Sequence, residues 1–168
     1  MPNNDLIDLL GKHINEVPKA YTDTTTIDRK EDVYTLDITD HYFNKPYEMV
    51  FLSVDDNLII KQISFAVNET IDQSLYQSMV SAYGEPNIML KFGELISIDP
   101  TVTQNDWFKI ENTLTYNIEK CTFDESPFVF GWHKENYDIQ VLITDQKNQR
   151  PRTLIVFGKG ILDEYKKF

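Results

Sequence analysis

A chain of 168 residues with 27 Asp and Glu against 16 Lys and Arg carries a formal net charge of −11, which argues against nucleic acid and anionic membrane as partners. The imbalance is uneven, because residues 147–168 hold six basic and two acidic residues and the rest of the chain holds the acidic excess. The length suits a single domain over residues 1–168, or two structural halves, about 1–67 and 68–168, that share one core.

The cellular compartment is predicted from cysteine usage and from the absence of targeting signals. Cys121 is the single cysteine, so an internal disulfide is excluded, and the composition suits a reducing compartment. The first residues lack the basic and apolar stretches of a secretory signal, and no apolar run approaches the roughly 20 residues of a membrane span. We therefore expect a cytoplasmic protein that does not enter a membrane.

Two short helices are predicted at the start of the chain, over residues 5–10 and 15–21. Asn3 or Asn4 can cap the first helix, and Gly11 can end it in a left-handed conformation. Pro18 falls in the first turn of the second helix, where a missing backbone N–H is tolerated.

Strand patterns follow. Alternation of apolar and polar residues predicts a strand over residues 32–39. Residues 47–54 and 58–67 are both rich in apolar and β-branched residues, and the turn sequence Asp55-Asp56-Asn57 separates them. This arrangement predicts a β-hairpin.

The strongest helix signal lies at residues 70–83. Thr70 and Gln73 form the pattern of a capping box, Gly84 supplies a left-handed end, and Pro86 prevents continuation. We expect this helix to lie across a sheet, because its apolar side chains share one face. Those side chains are Ile71, Leu75, Met79, Val80 and Tyr83.

The second half of the chain is predicted to be rich in strands. Residues 87–98 are predicted to form a strand that is interrupted near Gly93. Residues 106–123 fit both helical and strand periods and stay undecided, although their Thr and Asn content favours a strand. Residues 128–157 alternate in the manner of a three-stranded antiparallel meander, and residues 161–167 close the chain as a short helix. The order of elements predicts the α+β class: a twisted, mostly antiparallel β-sheet with helices packed on one face.

No local pattern of catalytic or metal-binding residues is present in the sequence. The histidines His13, His41 and His133 are isolated, without the close spacing of a zinc motif, and Cys121 lies among apolar residues that favour an inert thiol. We therefore predict no catalytic residue, no metal site and no cofactor, and we lean towards a protein that is not an enzyme.

The leading interpretation is an acidic binding protein that docks on a basic protein partner, as an immunity or inhibitor protein covers a toxin. Basic clefts are typical of proteins that act on anionic substrates, and an acidic antagonist is steered towards them. The acidic residues predicted to form the interface are Asp23, Asp28, Glu31, Asp32, Asp124 and Glu125.

Two alternatives remain open. One is an enzyme or small-molecule-binding protein with an aromatic pocket, for which the candidate residues are His41, His133 and Trp132. The other is a structural subunit whose sheet edge pairs with a second copy. The sequence leaves the oligomeric state open.

Overall fold

The computed structural model describes residues 4–22, 28–30, 32–104, 108–144 and 152–168. Within these residues the chain forms nine β-strands and three α-helices. The strands are β1 (Asp28–Lys30), β2 (Val33–Tyr42), β3 (Lys45–Val54), β4 (Ile60–Val67), β5 (Ile88–Gln104), β6 (Phe108–Lys120), β7 (Val129–His133), β8 (Asp138–Thr144) and β9 (Arg152–Gly158). The helices are α1 (Asn4–Ile7), α2 (Lys19–Thr22) and α3 (Gln73–Tyr83).

All of the described strands belong to one sheet, in the order β1-β2-β3-β4-β9-β8-β7-β5-β6. Each neighbouring pair is antiparallel, so the predicted antiparallel sheet is confirmed. Strands β4 and β9 join the first four strands to the last five, with Ile63 opposite Phe157. The fourth and the last of the described strands in the sequence therefore meet at the centre of the sheet.

The predicted α+β class is wrong, because the chain is mostly β. In the described part of the chain, α3 is the one helix longer than a single turn. The segments predicted as helices near both ends form single turns, and the undecided residues 106–123 contribute strand β6. The terminal segments have the capping residues of helices, but they are too short to form a helical layer that packs on the sheet.

The central hairpin and the long helix lie where the sequence predicts them. β3 and β4 pair around the turn that begins at Asp55, whose carboxylate accepts hydrogen bonds from the backbone N–H groups of Asn57 and Ile59. Helix α3 ends at Gly84, which has a φ of 84°. Its N-cap is Asp72, which accepts a hydrogen bond from the Leu75 backbone N–H, and not Thr70 as predicted.

The hydrophobic core lies on one face of strands β2 to β4 and β7 to β9. Register places a row of buried side chains on that face, one from each of five neighbouring strands. The row consists of Leu52, Ile63, Phe157, Ile139 and Trp132. Helix α3 packs on this face through Tyr76, whose ring meets the Phe130 ring edge-on at 5.7 Å. Leu6 and Leu9 at the start of the chain belong to the same core cluster.

The other face of strands β7, β8 and β9 is covered by the carboxy-terminal segment, residues 159–168. Leu162 is fully buried against Gly131, where a Cβ atom would lie 2.9 Å from the Leu162 methyl groups. The Tyr165 hydroxyl accepts a hydrogen bond from Gln140 Nε2 at 3.0 Å. These contacts fix the segment in place above the sheet.

Candidate functional site

The most unusual part of the fold is a two-stranded arm formed by β5 and β6. In the described sheet, β5 pairs with β7 over Ile88–Leu90 alone, whereas its pairing with β6 continues to Gln104 opposite Phe108. Beyond Leu90 the two strands therefore run on as a ribbon, and at roughly 3.3 Å per residue this ribbon is about 40 Å long. We call residues 91–104 and 108–119 the arm.

The register of the arm separates apolar from polar residues. Phe92, Leu95 and Ile98 on β5 lie opposite Ile118, Tyr116 and Leu114 on β6. Cross-strand partners share a face, so these six residues form one apolar face of the arm. The alternate positions of β6 are polar: Thr113, Thr115, Asn117 and Glu119.

Register irregularities keep the apolar residues aligned. On β6 the apolar positions are two residues apart, as expected for a strand, but on β5 they are three residues apart. The register shifts between Phe92 and Leu95 and between Leu95 and Ser97, where β5 has extra residues. A β-bulge re-aims side chains in this way, so the bulges return Leu95 and Ile98 to the face of Phe92.

The apolar face is open to solvent. Four of its six side chains, those of Phe92, Leu95, Ile98 and Leu114, are between 45% and 56% exposed. Ile96, in the bulge beside Leu95, is 60% exposed. Folding does not bury them, although their strands are rich in the residues that normally form a core. A contiguous apolar surface of this kind marks an interaction site more often than a structural feature.

An apolar groove joins the base of the arm to the body of the protein. The Phe92 ring stacks on the Phe128 ring, with 4.2 Å between centroids and 16° between planes. The groove has a volume of about 340 Å³, and Ile71, Phe123 and Ile143 also line it. The apolar face and the groove thus form a continuous surface.

Acidic residues border this groove. Asp124 and Glu125 belong to the 3₁₀ turn Phe123–Glu125, and both are exposed. Glu125 Oε1 lies 2.7 Å from Lys91 Nζ at the start of the arm, and Glu125 Oε2 accepts hydrogen bonds from the backbone N–H and hydroxyl of Thr122. The Lys91 ammonium group, and after it the Thr122 donors, lower the pKa of Glu125 to about 2.

The acidic residues predicted to form one interface lie in different places. Asp124 and Glu125 are beside the groove, whereas Asp32 directly precedes β2 near the opposite edge of the sheet. Asp28 lies in β1, and its side chain falls outside the described residues, as Asp23 and Glu31 do. The structure therefore joins two of the six predicted residues to the apolar surface and separates Asp32 from them.

The residues of the predicted aromatic pocket are not brought together. Trp132 is buried in the core, where its indole N–H donates a hydrogen bond to the Gly84 carbonyl at 2.7 Å. His41 is exposed on β2, and His133 ends β7, with four strands between them in the sheet. His133 instead contacts Asp138, with 2.8 Å between Nδ1 and Oδ1, a partner that the sequence did not indicate.

The sequence pattern could not identify the arm as a site. An alternating strand predicts that one face is covered, and nothing in residues 91–104 says that the cover is missing. The available signal is strand length, since β5 has 17 residues and its neighbour β7 has five. A strand that is much longer than its neighbour leaves part of its edge without backbone pairing on that side.

No known protein family, curated protein or solved structure matches this chain. Among the described residues, no three His, Cys, Asp or Glu side chains are grouped as metal ligands would be. None of the described helices has the length and apolar character needed to cross a membrane.

Proposed function

We propose that this chain is a non-enzymatic binding protein that docks on a basic protein partner through the apolar face of the arm and the groove at its base. The observation that carries the proposal is the set of four large apolar side chains that this face leaves 45–56% exposed, those of Phe92, Leu95, Ile98 and Leu114. Docking would bury them, and roughly 25 cal/mol per Å² of buried apolar surface supplies the driving force.

Charge supports a basic partner. The chain has a net charge of −11, and exposed Asp124 lies next to the groove. Lys91, a basic residue at the base of the arm, is held by Glu125 and contributes no net positive charge to the pair. The fitting partner surface has apolar side chains for the ribbon and Lys or Arg side chains for the acidic border.

An immunity or inhibitor protein that covers a basic toxin is a class with this chemistry, and it remains our proposal for the biological role. An extended ribbon suits such a role because it can enter a cleft, and free strand edges can add to a partner's sheet. Steering by net charge would give rapid capture at low salt.

The proposal is tested by quantitative affinity capture at low salt from an extract of the organism that encodes the chain. Wild type is compared with Ile98→Thr on the arm and with Asp124→Asn beside the groove. The matched control is Met49→Thr, because Met49 is 50% exposed but lies on β3, away from the arm. We expect one basic protein in stoichiometric amount with wild type and Met49→Thr, little with Ile98→Thr, and a reduced amount with Asp124→Asn.

Three results would contradict this proposal. The Ile98→Thr variant could retain the same protein as wild type, or the protein that wild type retains could be acidic. Light scattering on purified wild type could also show a dimer that Ile98→Thr converts to a monomer, in which case the arm binds a second copy.

A further inference from the structure

A second cavity lies at the junction of β5, β6, β7 and the carboxy-terminal segment. Its volume is about 440 Å³, which is within the range of sites for small molecules. It shares no lining residue with the groove at the base of the arm. The apolar part of its lining includes Ile88, Leu90 and Phe168.

The backbone register places the polar residues around this cavity. Lys120 lies opposite Leu90 at the end of β6, and Gly131 lies opposite Ile88 on β7. His133 is two residues beyond Gly131 and therefore on the same face of β7. The carboxy-terminal segment, which Leu162 anchors above Gly131, brings Tyr165 and Lys166 to the cavity.

A buried carboxylate holds the His133 ring in position. The Asp138 side chain is 9% exposed, and its Oδ1 lies 2.8 Å from His133 Nδ1. Its Oδ2 accepts a hydrogen bond from the Leu162 backbone N–H at 3.4 Å, and the His133 backbone N–H donates to Asn87 Oδ1 at 2.7 Å. With Nδ1 bound to a carboxylate, Nε2 is the ring nitrogen left for a ligand, as in the oriented histidines of many binding sites.

The ionisable groups that line the cavity favour an anion. They comprise Lys120, Lys166, His133, Cys121 and Tyr165, so this described lining contains no Asp or Glu residue, although Asp138 contacts His133 and the chain as a whole is strongly acidic. Burial raises the pKa of the Cys121 thiol and, with Glu164, raises the pKa of Tyr165 to about 12, so both groups are neutral at pH 7. Lys166 also pairs with exposed Asp163, at 2.6 Å, which moderates its charge.

We propose that this cavity binds a small organic anion, with its carboxylate or phosphate group at His133, Lys120 and Lys166 and its apolar part against Ile88 and Phe168. The Asp138–His133 pair positions the donor nitrogen, and the lysines supply the attraction. The inference is independent of the proposed docking function, because the two surfaces share no lining residue.

The test is titration of ¹⁵N-labelled protein with phenyl phosphate, followed by amide NMR. Benzyl alcohol and benzylamine serve as neutral and cationic probes of similar size. We expect saturable shifts at the Asn87, Ile88, His133 and Tyr165 amides with phenyl phosphate, and none with benzylamine. Inorganic phosphate should bind more weakly than phenyl phosphate, because it lacks the apolar part.

Variants separate local recognition from overall charge. Lys120→Gln and Lys166→Gln should each weaken phenyl phosphate about three- to fivefold, the size of an exposed charge pair. Lys12→Gln is the matched control, since it removes the same charge from an exposed site outside the cavity lining. Ile98→Thr on the arm should leave the affinity for phenyl phosphate unchanged.

The inference is overturned by any of three outcomes. The cavity amides could fail to shift with phenyl phosphate, benzylamine could shift them equally, or Lys12→Gln could weaken binding as much as Lys120→Gln does. If Ile98→Thr no longer captures the basic protein but binds phenyl phosphate as wild type does, the result supports the docking proposal and leaves the cavity proposal unchanged.

Discussion

Glu125 is an exposed carboxylate whose protonation is set by two neighbours. Lys91 and the Thr122 donors stabilise its ionised form and lower its pKa to about 2, from an ordinary value of 4.5. Because the folded-state pKa is lowered, the stabilisation that Glu125 provides is complete above pH 4.5 and is lost as the pH falls towards 2.

Replacing Lys91 should therefore raise the pKa of Glu125. In Lys91→Gln the principal cause of the lowered pKa is gone, and we expect the Glu125 titration, followed by side-chain carboxyl NMR, to move upward towards 4.5. Lys120→Gln is the control, since it removes an equal charge near the same end of the arm. A wild-type Glu125 that titrates near 4.5 would contradict the contact with Lys91.

Gly131 is needed for close packing and not for its backbone angles. A Cβ atom there would lie 2.4 Å from the Ile139 carbonyl oxygen and 2.9 Å from the Leu162 methyl groups. Gly131→Ala should lower the free energy of unfolding by about 3 kcal/mol in urea denaturation, since the backbone oxygen cannot move aside. Gly11→Ala, at a φ of 79° with open space around it, should cost about 1 kcal/mol. Equal losses in the two variants would contradict this account of Gly131.

At the scale of elements, the arm has its apolar side chains outside the core. Ile98 is 55% exposed, whereas Ile63 in β4 is fully buried. Ile98→Thr should change the free energy of unfolding by less than about 0.5 kcal/mol. Ile63→Thr should cost about 3 kcal/mol or more, because it leaves a void and buries a hydroxyl. Urea denaturation of both variants measures the contrast, and a large loss for Ile98→Thr would mean that the fold covers the arm.

Local chemistry predicted the elements whose signals lie within a few residues. The hairpin of β3 and β4 follows from the turn at Asp55, and α3 ends at Gly84 as the sequence indicates. Residues 106–123 could not be assigned because their apolar spacing fits two periods, and pairing with β5 decided the outcome. Pairing between strands is a tertiary contact, and the residues of one strand alone do not reveal it.

The candidate site depended on information that the sequence does not carry. Phe92 and Leu114 lie where β5 has no pairing with β7, and no local pattern in β5 or β6 indicates that this face stays uncovered. For Trp132 the error is in the opposite direction: the sequence makes it a candidate for a pocket, whereas its side chain is buried in the core. Composition did indicate the acidic character that our docking proposal uses.

At the scale of the whole molecule, net charge should control how fast the partner binds. With −11 on the chain and a basic partner, we expect the association rate constant to fall about tenfold between 50 and 500 mM salt, since screening removes long-range steering. Stopped-flow fluorescence with the captured partner measures this rate. The dissociation rate constant should change far less over the same range. An association rate constant that is independent of salt concentration would contradict electrostatic steering.

Hydrogen–deuterium exchange on the complex addresses the docking proposal most directly, because it maps the contact on wild-type protein. Our account predicts that the partner slows exchange at the amides of residues 92–98 and 114–118, while β2 exchanges as it does in the free chain. Unchanged exchange along the arm, with protection confined to another surface, would contradict the claim that the arm is the binding element.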